Sequence, residues 1–378
     1  MLERMNLWWK EKDWEKLDAD LMKFNSFKIR WIPDWINSIS LKPFSLNFVL
    51  GPRQVGKTTG LKILIKQLIE KGENPKSLAY INCDLLASFK ELRSVLEKMK
   101  DYKLIVLDEV TSIEYWWKVV KGLIDLGQFR NSVLIVSGSS SLKVKKFVEA
   151  FTGRRGEGKD VIVLPLSFKE FVKVKNYKKS ELHLAFEFYL KNGGYPRSIN
   201  EDSTFLQDFI SSIEKEFARI GKSYKLAREI IYQLILKAPS ALGYNTIANS
   251  IGVSHVTVRE YLEAMEDMFL VKIAHLKEGN KINFRKEKKI FLRDPFMLHA
   301  FSSVFGLEER KEVLYEWIVQ EHLYRKFGEI YYWKNGFEID CIANNLKVEV
   351  KAGKAHEKYP RNVIVLDKED IPNFLFEL

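Results

Sequence analysis

Cysteine is nearly missing from this chain. Cys83 and Cys341 are the only two in 378 residues, too few for a disulfide-stapled secreted scaffold or a cysteine-based zinc finger. Neither has a neighbouring Cys or His suited to nucleophilic catalysis. The six histidines, His183, His255, His275, His299, His322 and His356, are scattered without metal-ligand spacing, and all are read as structural. No apolar run approaches the roughly 20 residues that span a bilayer. The opening Met1-Leu2-Glu3-Arg4-Met5 lacks the basic-then-apolar pattern of a secretory signal. The expectation is a cytoplasmic chain with no membrane partner. Internal repeats and low-complexity linkers are also absent.

What is present is apolar mass and basic charge. Hydrophobic residues make up 46% of the chain, enough for real cores, and the length fits about two or three domains. Against 50 Asp+Glu stand 61 Lys+Arg, a net charge of +11. That total hints at an anionic partner, but it is unevenly spread. Residues 1–200 carry 35 basic and 23 acidic side chains, and residues 201–378 carry 26 and 27. The excess lies in the first half.

Residues 1–44 hold Trp8, Trp9, Trp14, Trp31 and Trp35 and read as an irregular helical arm packed on the segments after it. Short apolar runs at Ser45–Leu50, Leu78–Asn82, Leu104–Leu107, Val133–Val136 and Val161–Leu164 alternate with helical stretches such as Thr58–Lys71. Continuous apolar strands of this kind are buried on both faces, and their alternation with helices predicts a parallel α/β sheet over 45–165. Residues 166–225 read as helical, broken at Gly193-Gly194-Tyr195-Pro196, residues 226–290 as a small helical module with a basic ribbon, and residues 291–378 as mixed helix and strand.

The segment Gly51-Pro52-Arg53-Gln54-Val55-Gly56-Lys57-Thr58, followed by Thr59, fits G-x-x-x-x-G-K-[ST] between a strand and a helix. Such a loop turns backbone N–H groups around phosphate oxygens, and the helix start adds positive potential. Lys57 is expected to reach the β- and γ-phosphates and Thr58 to ligate Mg²⁺. Leu104-Ile105-Val106-Leu107-Asp108-Glu109 is an apolar strand ending in two carboxylates. Asp108 suits the Mg²⁺ shell and Glu109 the attacking water. The next strand ends in Ser137-Gly138-Ser139-Ser140, where Ser137 and Ser139 are both candidates to touch the γ-phosphate or the water. Arg154 or Arg155 is a candidate arginine finger, within the chain or toward a neighbouring subunit of a homo-oligomer. Arg197, after Gly-Gly-Tyr-Pro, is a candidate nucleotide sensor.

In order along the chain stand GPRQVGKTT, LDE, VSGSSS, GRR, PLSFKEF and GGYPR. This sequence resembles the AAA-type ATPases of archaea and bacteria that carry a helical lid, a winged helix and a C-terminal nuclease-like domain, and the resemblance covers nearly the whole chain. It implies ATP rather than GTP. The sequence adds that no N-K-x-D guanine-reading tetrad is present. The implied architecture is an arm (1–44), an AAA+-like P-loop core (45–165), a helical lid (166–225), a winged helix (226–290) and a restriction-endonuclease-like α+β domain (291–378).

Tyr244–Tyr261 fits a helix-turn-helix, with Ile247, Ala248, Ile251, Val253 and Val258 inward, Gly252 in the turn and Ser254 capping the second helix. That second helix carries Arg259 against Glu260, Glu263, Glu266 and Asp267, poorly made for a phosphate-lined groove. A clamp or protein-docking use is the stronger reading. Lys281, Arg285, Lys286, Lys288, Lys289 and Arg293 form a basic wing; with the lid lysines of Lys169–Lys179 it is the expected surface for any DNA or RNA.

Near the C-terminus, alternation along Lys347–Lys351 puts Glu349 and Lys351 on one face, and a turn at Asn344-Asn345 brings Asp340 toward Glu349. The set resembles a PD-(D/E)xK nuclease core. That resemblance implies Asp340 and Glu349 as Mg²⁺ ligands, Lys351 beside the water or the transition state, and Glu316 as the helix carboxylate, ahead of Glu321. Two functions are consistent with these residues: an ATPase whose turnover moves these C-terminal parts on nucleic acid, or an ATP-switched signalling module whose C-terminal domain is catalytically idle.

Overall fold

The apolar runs of the first half become the strands of one sheet. In the computed structural model, which describes residues 1–139, 149–335, 337–351 and 359–378, these are β1 (Ser45–Leu50), β2 (Leu78–Asn82), β3 (Leu104–Asp108), β4 (Val133–Gly138) and β5 (Asp160–Ile162). All pair in parallel, in the order β2-β3-β4-β1-β5. Every residue of β1, β3 and β4 is buried, as an all-parallel sheet between covering layers requires. With β4 between β1 and β3, the end of β4 lies between the loop that leaves β1 and the carboxylates that end β3.

The first of two compact units spans Met1–Leu164, so the N-terminal arm folds with the sheet. It covers the exposed edge of β2. The Asn6 side chain accepts from Tyr80 N–H (2.6 Å) and donates to Tyr80 C=O (2.9 Å), as a neighbouring strand would. The Trp8 and Trp9 indoles both donate to the Leu78 carbonyl. An unpaired strand edge invites association with other chains, and a covered one does not. Trp8 and Trp14 are buried, with ring centroids 4.9 Å apart. Lys62, on the helix Lys57–Glu70, pairs with Asp18 and Asp20 of the arm at 2.6 Å each.

The second unit is Pro165–Leu378. Helices Phe168–Val174, Leu182–Asn192, Phe205–Arg219 and Tyr224–Lys237 come first. The helix-turn-helix is next, as expected. Helices Tyr244–Ile251 and His255–Asp267 are joined through Gly252 (φ 71°), and the Ser254 hydroxyl accepts from Thr257 N–H. Ile247, Ala248 and Val258 are buried; Ile251 and Val253 are half-buried.

The ribbon differs from expectation. Strands β6 (Val271–Glu278) and β7 (Lys281–Leu292) form a hairpin, but it belongs to the C-terminal sheet with β8 (Tyr331–Asn335), β9 (Phe337–Ala343), β10 (Leu346–Val350) and β11 (Ile364–Leu366). The order is β11-β10-β9-β8-β6-β7, with β6 parallel to β8. The boundary expected at residue 290 falls inside β7. The sheet thus mixes parallel and antiparallel pairs, and the fold is α/β, with one parallel and one mixed sheet among the described residues. Because β7 turns its C-terminal half into the core, Lys288, Lys289 and Arg293 are buried, while Lys281, Arg285 and Lys286 stay exposed. Half of the expected basic wing faces inward.

PLSFKEF and GGYPR meet in a buried polar latch. The Phe168 N–H donates to His322 Nε2 (2.8 Å), and Arg325 donates to the Pro165 carbonyl. Gly194 N–H donates to Asp294, and Leu166 N–H to the Gly194 carbonyl. Gly193 sits at φ +64°, where a Cβ would lie 2.0 Å from Asp294 Oδ1; only glycine fits there. Glu321 is held below the usual carboxylate range, against the cost of burial, by Arg293 and Arg325. Among the described residues no helix is long and apolar enough to cross a membrane.

Burial, and then Arg325, lower the His322 pKa to about 4, while burial raises that of Asp294 to about 7. The two act oppositely on stability. His322 contributes stability above its unfolded pKa of about 6.5 that is lost as pH falls toward 4, whereas protonating Asp294 as pH falls through 7 stabilises the fold. Comparing variants separates them. Between pH 7 and pH 5, wild type should lose about 2 kcal/mol more unfolding free energy than His322→Gln. Urea unfolding at the two pH values measures this; identical pH responses would contradict the latch.

Candidate nucleotide site and a second carboxylate cluster

The phosphate-loop pattern is placed by the geometry at the end of β1. Gly51 lies against the next edge of the sheet: a Cβ there would be 2.0 Å from the Val163 carbonyl oxygen. Gln54 (φ 65°) and Gly56 (φ 93°) take left-handed conformations, and the helix Lys57–Glu70 starts at once, with Gly56 as its N-cap. Gly51, Pro52 and Val55 are buried, Arg53, Gly56, Thr58 and Thr59 half-buried, and Gln54 exposed. The Lys57 ammonium is buried and donates to the carbonyls of Gly51 (2.9 Å) and Pro52 (2.8 Å). A helix start, a buried ammonium and a loop of backbone amides together favour a polyanion.

Asp108 ends β3 beside this loop and is 1% exposed. Its Oδ2 accepts from Thr58 Oγ1 at 2.6 Å and from the Tyr80 hydroxyl at 2.8 Å; its Oδ1 accepts from Glu109 N–H. Burial and the Asp108 charge push the Tyr80 phenol well above its ordinary pKa, so it stays protonated and donating. Glu109 takes a left-handed turn (φ 50°) and its carboxylate lies 4.0 Å from the Arg53 guanidinium. Ser137 and Ser139 at the end of β4 are both buried, and the Ser137 hydroxyl has no hydrogen-bond partner among the described residues. Ser140 and His356 lie outside the described residues. Two adjacent hard oxygens, Thr58 Oγ1 and Asp108 Oδ2, suit Mg²⁺. Tyr80 is the site residue that sequence patterns miss; its place on β2, beside β3, becomes visible only once strand order is known.

The candidate arginines are engaged elsewhere. Arg154 pairs with Asp125 (2.5 Å), and Arg155 with Asp160 (2.6 Å) over the Phe48 ring. In the second unit Arg197 is 8% exposed, donating to Asp202, Thr204 and Asp208 over the Phe205 ring.

The C-terminal carboxylates do converge. Asn344 (φ 53°) turns β9 into β10. Asp340 N–H donates to Glu349 Oε2 (3.1 Å), Val350 N–H to Asp340 Oδ2 (2.9 Å), and Lys351 pairs with Glu349 at 2.6 Å. Glu316 joins from the helix Lys311–Phe327, its Oε1 accepting from Gln320. Burial, then the neighbouring Asp340 charge, raise Glu316 to about 8.

The sequence pattern assigns Lys289 to the wing; the structure puts it in this cluster. Its ammonium lies 2.8 Å from Glu316, 2.6 Å from Glu338 and 2.5 Å from Asp340, and the side chain is 3% exposed. Against the cost of burial these carboxylates hold Lys289 well above the ordinary lysine range. Among the described residues no three His, Cys, Asp or Glu side chains form a group that could hold a metal ion. Tested as a Mg²⁺ site, the cluster does not fit: the space between its carboxylates holds a cation of the chain's own.

Residues 44–172 match a family model described as an AAA domain, and residues 183–308 match one described as a domain of unknown function. The chain is 28% identical over 265 residues to an uncharacterized protein of Methanocaldococcus jannaschii, covering 62% of this chain and 57% of that one. It is 26% identical over 307 residues to an uncharacterized protein of Mycobacterium tuberculosis, covering 75% and 64%. The chain thus spans about three-fifths of the length of the curated relatives it matches. Among solved structures it is similar to the RuvB Holliday junction branch migration motor of Thermotoga maritima, at 15% identity and a TM-score of 0.38 over 70% of this chain and 88% of that one. It is also similar to the ORC2 protein of Aeropyrum pernix, at 12% and 0.41 over 69% and 88%. The AAA domain match spans the phosphate loop, Asp108, Glu109, Ser137 and Ser139, so it is the first unit's site that the family match covers.

Proposed function

We propose that this chain binds ATP with Mg²⁺ and hydrolyses it at the loop and strand-end site of its first unit. The observation that carries this reading is the 2.6 Å contact between Thr58 Oγ1 and Asp108 Oδ2 at the start of the loop helix. It sets two hard oxygen ligands where the helix start already favours anions. Bound Mg²⁺ would supply charge neutralisation for the phosphate oxygens. The loop Gly51–Thr59 holds the phosphates through backbone amides, and Lys57 turns its ammonium from the Gly51 and Pro52 carbonyls to the β- and γ-phosphates. Glu109 orients and polarises the attacking water, with Ser137 or Ser139 beside the γ-phosphate. For Arg154 or Arg155 to act as a finger, in this chain or toward a second copy, it has to leave Asp125 or Asp160. Arg197 likewise has to leave Asp202 and Asp208 to sense nucleotide. The choice of ATP rests on the family resemblance.

Lys57→Ala should weaken ATP binding by about 2–4 kcal/mol, roughly 30- to 1,000-fold, through loss of a charge-assisted contact. Glu109→Gln should keep binding and lower turnover by about 10²–10⁴-fold. Calorimetric titration and phosphate release measure the two. Unchanged ATP affinity in Lys57→Ala would refute the site.

The nucleic-acid reading rests on the cations that stay exposed. In the hairpin these are Lys281, Arg285 and Lys286; in the lid, Lys173, Lys178 and Lys179, the last paired with Glu377. The exposed face of the second helix of the helix-turn-helix carries Glu260 and Glu263, with Arg259 3.7 Å from Glu263, which does not suit a phosphate-lined groove. DNA or RNA should therefore stimulate ATP turnover in wild type and much less in a Lys281→Glu, Arg285→Glu, Lys286→Glu variant, with basal turnover equal. Equal stimulation of both proteins would remove the hairpin from this reading.

A further inference from the structure

We infer that the carboxylate cluster of the second unit is neutralised by Lys289 in the position a divalent cation would take, so that this cluster binds no Mg²⁺. The geometry is that of a ligand set closed around an ammonium. Lys289 Nζ touches one oxygen each of Glu316, Glu338 and Asp340 within 2.5–2.8 Å, using the three donors an ammonium has. The remaining Asp340 oxygen is taken by the Val350 N–H, and the Glu349 oxygens by Asp340 N–H, Lys351 and Tyr359. Gln320 fixes Glu316 from the next turn of its helix.

Lys289 is also held from behind. It lies within β7, in register with Ala274 of β6, and its side chain is 3% exposed. A dication entering between Glu316 and Asp340 would have to displace an ammonium anchored on a paired strand, or sit against it with like charge. Lys351, the lysine at the nuclease-like spacing, pairs with Glu349; Lys289 is a second cation that such a core does not need. The cluster therefore works as a buried ion-pair knot tying the hairpin to β9 and the helix Lys311–Phe327. The inference does not depend on the ATPase reading, since none of these residues belongs to the nucleotide site.

The test is Mn²⁺ binding, followed by electron paramagnetic resonance on the full chain without nucleotide. Wild type, Asp340→Asn and Glu316→Gln should bind the same number of Mn²⁺ ions. Lys289→Met, which keeps the length and removes the charge, should gain one site. The double variant Lys289→Met, Asp340→Asn should lose that gain. A Mn²⁺ ion bound by wild type and lost in Asp340→Asn or Glu316→Gln would overturn the inference, as would a folded Lys289→Met that gains none. If Lys289→Met does not fold, the comparison of wild type with Glu316→Gln decides alone.

Discussion

A charge taken out of water has to be met by opposite charge or by donors aimed at it, or the fold cannot keep it. Both units are organised around that constraint. In the first, Asp108 is buried at the end of a strand and accepts from Thr58, Tyr80 and the Glu109 backbone. In the second, Lys289 is buried among three carboxylates. The solutions differ in sign and in consequence. The Asp108 network is an anion held by neutral donors, and a cation can still join it. The Lys289 network already contains its cation.

The same constraint explains motifs that carry the family resemblance. Gly193 and Gly194 let backbone approach the Asp294 carboxyl, and Pro165 and Phe168 reach Arg325 and His322. Glu321 sits between Arg293 and Arg325. Breaking one partner of such a buried set typically costs about 3–5 kcal/mol, because the other charge is left uncompensated. Backbone groups of PLSFKEF and GGYPR thus help hold the second unit together, and Arg197 is bound within its own helical segment.

How much is legible in the sequence depends on the range of each interaction. The loop 51–58, the strand-end pair Asp108-Glu109, the Asn344-Asn345 turn and the Ser254 cap are contiguous patterns whose chemistry is local, and the structure carries each of them. The parallel sheet is legible because its strands are uniformly apolar. Glu316, Asp340, Glu349 and Lys351 come together through strand alternation and one tight turn. Lys289 is not legible, because its partners Glu316 and Asp340 lie 27 and 51 residues away and a lysine among lysines on a polar ribbon reads as surface. Asn6, which completes the β2 edge, acts over 74 residues, and His322 reaches Phe168 over 154. Strand order supplies what periodicity cannot: it turns half of the basic ribbon inward and sets Tyr80 beside Asp108.

On the function proposed above, two acidic sites in one chain offer opposite receptions to the same metal. The first unit presents Thr58 and Asp108 beside a helix start whose dipole favours anions; the second presents carboxylates already closed on Lys289. Anomalous diffraction from crystals of the full chain grown with Mn²⁺ and a non-hydrolysable ATP analogue compares the two directly. The expected result is one manganese peak beside Thr58 and Asp108 and none between Glu316 and Asp340. A manganese peak at Glu316 and Asp340, with the Lys289 side chain displaced, would contradict it.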